Sequence, residues 1–155
     1  MAILNIVKTG DDILKKKSRP VEKIDERILT LLDDMRETLK KAEGAGLAAV
    51  QVGILKRVVL IDAGEGVIEL INPEITKIEG KRELYEGCLS FPDVWVVKER
   101  PVKVWGKALD RHGNEVHFDA MEGLMAQAFC HETDHLDGKL LVDDIVRYVD
   151  KDELQ

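Results

Sequence analysis

Two histidines four positions apart place the strongest constraint on how this chain can fold. They lie in the stretch His131-Glu132-Thr133-Asp134-His135. Four residues advance an α-helix by about 400°, which is one turn plus about 40°, so on a helix both imidazoles point the same way. A divalent metal can bind between them, and the glutamate beside the first histidine can then transfer protons. The stretch therefore predicts a helix that presents two ligands of a hydrolase-type metal site, with one ligand still to be found.

The composition predicts one globular domain spanning residues 1–155. Of these residues, 45% are hydrophobic and 34% are charged, which is enough to bury a core. The net charge of −7 argues against nucleic acid as a ligand, and no apolar run is long enough to predict a membrane span. The two cysteines, Cys88 and Cys130, are too few for a disulfide framework and indicate a reducing cytoplasm.

Apolar periodicity predicts two helices that flank a β-rich middle. The first is expected from Asp25, as N-cap, to about Lys41, and the second from Asp119, as N-cap, to about Leu136, with Glu122 completing a capping box. Short strands are expected at 57–61, 67–72, 74–79, 94–98, 102–109 and 115–118. This order favours an α+β fold in which mixed or antiparallel sheets surround a central C-terminal helix that carries the histidine motif.

Three ways of completing the metal site compete. A metzincin extends the motif to a third histidine, but Leu141 occupies that position, although Gly138 matches the preceding glycine. A thermolysin-like site uses a downstream glutamate, and Glu153 is the only glutamate after the motif. The third possibility is a cysteine from elsewhere in the chain.

Of the two cysteines, Cys88 is the better candidate for the missing ligand. Cys130 precedes His131 on the same helix and is rotated from it by about 100°, away from the metal-facing side. Cys88 follows Gly87, whose lack of a side chain lets the backbone approach a metal. A Cys-His-His set would also leave a fourth coordination position open for water, as catalytic sites require.

Three segments taken together resemble the three motifs of the peptide deformylase family. They are Gly-Ala-Gly-Leu-Ala-Ala-Val-Gln at 44–51, Glu-Gly-Cys-Leu-Ser at 86–90 and the histidine motif at 131–135. Their order and spacing match as well, and the similarity covers nearly the whole chain. The resemblance implies that Cys88, His131 and His135 bind one divalent metal, typically Fe²⁺, which Zn²⁺, Ni²⁺ or Co²⁺ can replace.

The resemblance also implies a reaction, the removal of the N-formyl group from the initiator methionine of nascent polypeptides with release of formate. A hydroxide formed from water on the metal attacks the formyl carbon, and Glu132 acts as general base and then general acid. The side-chain amide of Gln51 and the backbone N–H of Leu89 stabilise the oxyanion. Gly44 and Gly46 would let the substrate backbone approach closely.

Three apolar residues are candidates to line a pocket for the methionine side chain, namely Leu84, Leu124 and Ala128. Glu86 and Arg100 resemble an ion pair of the family that supports the cysteine strand. Two departures from the best-known bacterial pattern are Cys130, where a glutamine is common, and Trp95, where many members carry an arginine that helps to hold the peptide.

The expected partners are N-formylmethionyl peptides and the ribosome near its exit tunnel, with no membrane or direct nucleic-acid recognition, and the expected state is a cytoplasmic monomer. Two other hydrolases fit the motif, an N-acyl amino-acid deacylase and a small zinc protease. A metal-stabilised binding domain without activity would be free to lose Glu132 or Gln51, yet both are present.

Overall fold

Two antiparallel sheets and two helices make up the computed structural model, which describes residues 2–154. In chain order the strands are β1 (Gly46–Ala48), β2 (Val58–Asp62), β3 (Val67–Glu79), β4 (Arg82–Cys88), β5 (Phe91–Arg100), β6 (Lys103–Leu109), β7 (Glu115–Met121) and β8 (Arg147–Tyr148). The larger sheet has the order β1-β2-β3-β6-β7 and the smaller one β4-β5-β8. The helices are α1 (Glu26–Ala42) and α2 (Gly123–Leu136). The expected α+β class is confirmed.

The larger sheet lies between the two helices, and β2 shows why. Its residues are almost all buried, and successive side chains of a strand point to opposite faces. Val58 and Leu60 pack with the apolar side of α1, whereas Val59 and Ile61 pack with Phe129 of α2. The helix that carries the histidine motif is therefore central, as expected. Within residues 2–154, no helix is both long and apolar enough to cross a membrane.

The first helix begins where the sequence predicts. The Asp25 carboxylate accepts a hydrogen bond from the N–H of Ile28 at 3.2 Å, as an N-cap residue does. The helix ends at Ala42, and Glu43 follows with a φ of 55°. The left-handed turn opens the loop that leads to β1.

The predicted start of the second helix is wrong, but its end is confirmed. Asp119 belongs to β7, which continues its antiparallel pairing with β6 as far as Met121, so Glu122 becomes the N-cap without a side-chain cap bond. After the helix, Gly138 has a φ of 77°, its N–H donates to the carbonyl of His135, and the N–H of Lys139 donates to that of Asp134. This pair of bonds is the Schellman motif that a glycine at this position favours.

Several strands are longer than predicted, although β6 begins one residue later than expected. The two strands expected at 67–72 and 74–79 form one strand, β3, whose register shifts between Ile71 and Glu74. Asn72 has a φ of 53° at this irregularity, and its side chain bonds both backbone groups of Val21. In the smaller sheet, β5 extends well beyond the expected 94–98 because it pairs with β4 along nearly its whole length.

A buried carboxylate joins α1 to the larger sheet, and its removal should destabilise the fold. Glu69 on β3 accepts hydrogen bonds from Arg36 and Arg111 at 2.6 to 2.8 Å. Burial alone would raise the pKa of Glu69, but these bonds outweigh it and the pKa is lowered. We expect Glu69→Gln to reduce the free energy of unfolding by about 2 kcal/mol at pH 7, measured by urea denaturation.

The difference in free energy of unfolding between wild type and Glu69→Gln should depend on pH. A carboxylate whose pKa is lowered by folding stabilises the folded state above its unfolded pKa of about 4.3, and this contribution is lost as the pH falls through the lower folded pKa. The gap between wild type and Glu69→Gln should therefore narrow below pH 4. Glu79, in an exposed pair with Lys77, offers the control Glu79→Gln with little effect. A gap that stays constant down to pH 3 would contradict the role of the Glu69 charge.

Candidate metal centre

Helix α2 brings the two histidines together as their spacing predicts. The Nε2 atoms of His131 and His135 are 3.1 Å apart, and both side chains are buried. The rings meet edge to face with centroids 4.8 Å apart. Two ring nitrogens therefore face one point on the inner side of the helix.

Cys88 is the residue that joins them. It is the last residue of β4, and its Sγ lies 3.2 Å from Nε2 of His135. The possible ligand atoms of Cys88, His131 and His135 all lie within 4.8 Å of one another. A thiol sulfur and two imidazole nitrogens are donors that suit Fe²⁺, Zn²⁺, Ni²⁺ or Co²⁺, so the residues fit a divalent transition metal.

The other ways of completing the site do not form. Leu141 is buried in an apolar cluster with Phe91 and Val96. Glu153 lies in the C-terminal turn, where its carboxylate accepts hydrogen bonds from Arg147 at 2.7 and 3.0 Å. Cys130 packs in the core between α2 and the larger sheet, and burial raises the pKa of its thiol to about 11.

A buried carboxylate orients the first histidine. Glu86 accepts a hydrogen bond from Nδ1 of His131 at 2.9 Å, which leaves Nε2 directed at the candidate metal position. Arg100 binds Glu86 through two bonds of 2.9 and 2.7 Å, and so forms the ion pair that the sequence predicts. Burial alone would raise the pKa of Glu86, but the hydrogen bonds from His131 and Arg100 outweigh it and hold the pKa well below its usual range.

Asp134 faces away from the site, as its position on the helix predicts, yet it belongs to the same network. Its Oδ2 accepts a hydrogen bond from Nη1 of Arg100 at 2.7 Å. The guanidinium therefore lies between two carboxylates, one on β4 and one on α2. This arrangement fixes the cysteine strand against the histidine helix.

Glu132 lies beside the ligands, with its side chain almost completely buried. Its side chain is 4% exposed, its Oε2 lies 3.9 Å from Nε2 of His131, and its Oε1 has no hydrogen-bond partner. Burial raises the pKa of Glu132 to about 7, and a cation bound nearby would lower it again. Gly46 makes room for this carboxylate, because a Cβ at position 46 would lie 2.5 Å from Oε2.

The side-chain amide of Gln51 also lies next to Cys88. It lies in a 3-10 turn at Ala49–Val52, and its Oε1 accepts the N–H of Ala48 at 2.9 Å. Its Nε2 donates to Oγ of Ser90 at 3.1 Å and lies 3.6 Å from Sγ of Cys88. Leu89, the other predicted oxyanion donor, lies between Cys88 and Ser90 in the turn from β4 to β5.

These groups border a cavity of about 400 Å³. Of the predicted site residues, it is lined by Gly44, Gly46, Gln51, Cys88, Leu89, Leu124, Ala128, His131 and Glu132. His135 is buried behind them. The outer strands β1 and β4 both border the cavity, so an extended peptide could pair with either.

Leu84 is the predicted pocket residue that the structure does not place at this cavity. It lies further along β4, where it pairs with Lys98 of β5, and its neighbour Tyr85 lines the cavity instead. Two further lining residues, Trp95 and Gln127, were not predicted as part of the pocket. Gln127 could have been found on the helical wheel, because it lies one turn before His131.

The site combines the candidate thiolate ligand Cys88 on β4 with two histidines and a glutamate on the central helix α2. This combination defines a metal-dependent hydrolase of the HExxH type. Comparison with known proteins narrows this class. The polypeptide deformylase family profile matches residues 3–151, and the chain belongs to this family.

Similar sequences and solved structures support the same family assignment. The chain is 56% identical over its whole length to a peptide deformylase of Caldicellulosiruptor bescii, covering 93% of that protein. It is 59% identical to peptide deformylase 1 of Clostridium acetobutylicum over 92% of this chain and 95% of the relative. The crystal structure of peptide deformylase from Thermotoga maritima matches with a TM-score of 0.90 and 40% identity, over 94% of this chain and 99% of the other.

Removal of the Cys88 thiol should abolish tight metal binding, because two imidazoles on one helix turn would remain as the only protein ligands. We expect Cys88→Ala to weaken metal affinity by more than about 100-fold, the upper end of what a supporting residue alone costs. Metal content after gel filtration, measured by mass spectrometry, checks this. Cys130→Ala is the matched control and should keep one metal per chain. Full metal content in Cys88→Ala would show that the cysteine is not a ligand.

Proposed function

We propose that this chain is a peptide deformylase, a metal-dependent hydrolase that removes the formyl group from the initiator N-formylmethionine of nascent polypeptides and releases formate. The observation that carries the proposal is the convergence of Cys88, His131 and His135, with Glu132 beside them, at a cavity bordered by two outer strands. Membership of the polypeptide deformylase family supports the same reaction.

We assign the metal site to Cys88, His131 and His135, with Fe²⁺ as the resident ion and Zn²⁺, Ni²⁺ or Co²⁺ as possible replacements. The mixed sulfur and nitrogen donor set supports a transition metal rather than Mg²⁺ or Ca²⁺. When bound, the ion lowers the pKa of a coordinated water molecule and so supplies a nucleophile near neutral pH.

Glu132 is the proposed general base and acid. Its carboxylate takes the proton of the attacking water and passes it to the leaving amine of methionine. Two features support this role: Oε1 is buried without a partner and so is available to a proton, and Gly46 leaves the space next to Oε2 free of a side chain.

Gln51 and Leu89 are the proposed donors to the oxyanion that forms when the formyl carbon is attacked. The Gln51 amide points its nitrogen towards Cys88 because its oxygen already accepts the N–H of Ala48. The Leu89 N–H belongs to the residue directly after Cys88. Loss of one such donor typically costs about 3 kcal/mol of transition-state stabilisation.

The substrate peptide would extend between β1 and β4, with Gly44 and Gly46 on one side. Leu124 and Ala128 on α2 would contact the methionine side chain, together with Tyr85. The aromatic ring of Trp95 lies over Gly87, where a Cβ would be 3.1 Å from the ring, and it forms a further part of the wall.

The proposal also covers the state of the protein. We infer a single catalytic domain over residues 1–155. In support, the apolar clusters on the two faces of the larger sheet share β2 within the described residues. We expect this domain to act as a monomer in the cytoplasm and to meet nascent chains at the ribosome near the exit tunnel. A gel-filtration mass of one chain would agree, and a stable dimer would contradict the monomer.

A panel of three substrates tests the reaction. We expect formate release from formyl-Met-Ala, with at least 100-fold lower kcat/KM for acetyl-Met-Ala. The reason is that the proposed site accepts a formyl group, whose carbon carries a hydrogen where the acetyl group carries a methyl. A blocked internal peptide should not be cleaved. Preferred turnover of the acetylated peptide would identify an N-acyl amino-acid deacylase, and cleavage of the internal peptide would identify a zinc protease.

The same assay tests Glu132. We expect Glu132→Ala to lower kcat by about 10²- to 10⁴-fold, because general acid–base catalysis contributes that much, while metal content stays at one per chain. Glu122→Ala, an exposed residue at the start of the same helix, is the control and should keep wild-type kcat. An active Glu132→Ala variant would rule out the assigned proton transfer.

Metal exchange tests the resident ion. A thiolate bound to Fe²⁺ exposes both the sulfur and the metal to oxidation. The anaerobically purified ferrous protein should therefore lose activity in air, and the zinc-substituted protein should be slower but stable. Equal and air-stable activity with each metal would contradict a ferrous site.

A further inference from the structure

The orientation of the Gln51 amide depends on a buried serine. The Gln51 oxygen accepts the N–H of Ala48, so its nitrogen must face the other way. There the nitrogen donates one of its two hydrogens to Oγ of Ser90 at 3.1 Å. Both side chains are buried, with exposures of 1% for Gln51 and 0% for Ser90. The bond between them is therefore shielded from bulk solvent.

One segment of the chain holds the backbones of both residues. The N–H of Val7 donates to the carbonyl of Gln51 at 2.7 Å, and the N–H of Thr9 donates to the carbonyl of Ser90 at 2.8 Å. Between them, Nζ of Lys8 lies 3.3 Å from the carbonyl oxygen of Leu89. Residues 7–9 therefore connect the turn that carries Gln51 to the turn that carries Leu89 and Ser90.

We propose that Ser90 is a positioning residue for deformylation: its hydroxyl accepts one N–H of Gln51 and thereby directs the other N–H at the oxyanion. This inference rests on the proposed function. The second hydrogen of the Gln51 nitrogen is already directed at Sγ of Cys88, 3.6 Å away, so the serine hydroxyl and the N–H of Ala48 are the two groups that fix the amide plane. Without the serine hydroxyl, the amide would be free to rotate about its remaining bond to Ala48, and its donor would be misdirected although every catalytic residue is still present.

Ser90→Ala tests the inference, and Ser18→Ala is a matched control. Ser18 is equally buried, at 2% exposure, but its Oγ has no hydrogen-bond partner. With formyl-Met-Ala we expect Ser90→Ala to lower kcat by about 10- to 100-fold, less than or equal to the loss of a whole oxyanion donor. Its KM should stay within 2-fold and its metal content at one per chain, since neither depends on the oxyanion. Ser18→Ala should match wild type in all three measurements.

A double-mutant cycle separates positioning from a merely structural role. If Ser90 acts through Gln51, then Ser90→Ala added to Gln51→Ala should change kcat by less than 2-fold. A structural role would lower kcat by the same factor in both backgrounds. That additive result would overturn the inference, and so would an unchanged kcat in Ser90→Ala.

A second readout does not depend on turnover. In ¹⁵N-labelled, zinc-loaded protein, the Gln51 side-chain amide proton that is bonded to Ser90 should exchange slowly with solvent, and Ser90→Ala should move its chemical shift and speed its exchange. An identical Gln51 signal in the variant would overturn the inference. Wild-type protein that shows the protected signal but releases no formate would overturn the proposed reaction instead, while the Ser90 bond itself would stand.

Discussion

The buried carboxylate of Glu86 joins the two parts of the molecule that must meet for a metal site to exist. Cys88 comes from the smaller sheet, whereas both histidines come from α2, which packs on the larger sheet. Glu86 binds His131 directly and reaches Asp134 through Arg100. A buried charge without a partner is strongly unfavourable, so the strand and helix are held in an arrangement that satisfies all four side chains.

The close packing of strands β1 and β4 around the site also depends on glycines, which have no side chain. At Gly46 a Cβ would collide with the carboxylate of Glu132, and at Gly87 it would press on the ring of Trp95. These glycines border the cavity from opposite sides, one on β1 and one on β4. The strand edges on the two sides of the cavity can therefore approach a substrate backbone.

Local patterns predicted what depends on local geometry. The His131–His135 pair, the Asp25 cap and the Gly138 ending all follow from contacts within one helix. The errors arise where contacts between distant segments determine the structure. Pairing with β6 keeps Asp119 in a strand. The course of β4 puts Tyr85 rather than Leu84 at the cavity. The partnership of Ser90 with Gln51 joins residues 39 positions apart, and nothing in either motif alone predicts it.

Charge around the site explains why a cation belongs there. Glu86 and Asp134 both accept hydrogen bonds from Arg100. Glu132 lies beside His131, which belongs to the same network. The Cys88 sulfur would add a further negative charge as a metal ligand. Burying several acidic groups is costly in a low-dielectric interior. Desolvation by burial is the main cause of the raised pKa of Glu132, and the neighbouring Glu86 and Asp134 charges add to it. A divalent ion bound by Cys88, His131 and His135 would relieve this cost, because the same positive charge that activates water also favours the ionised form of the base beside it.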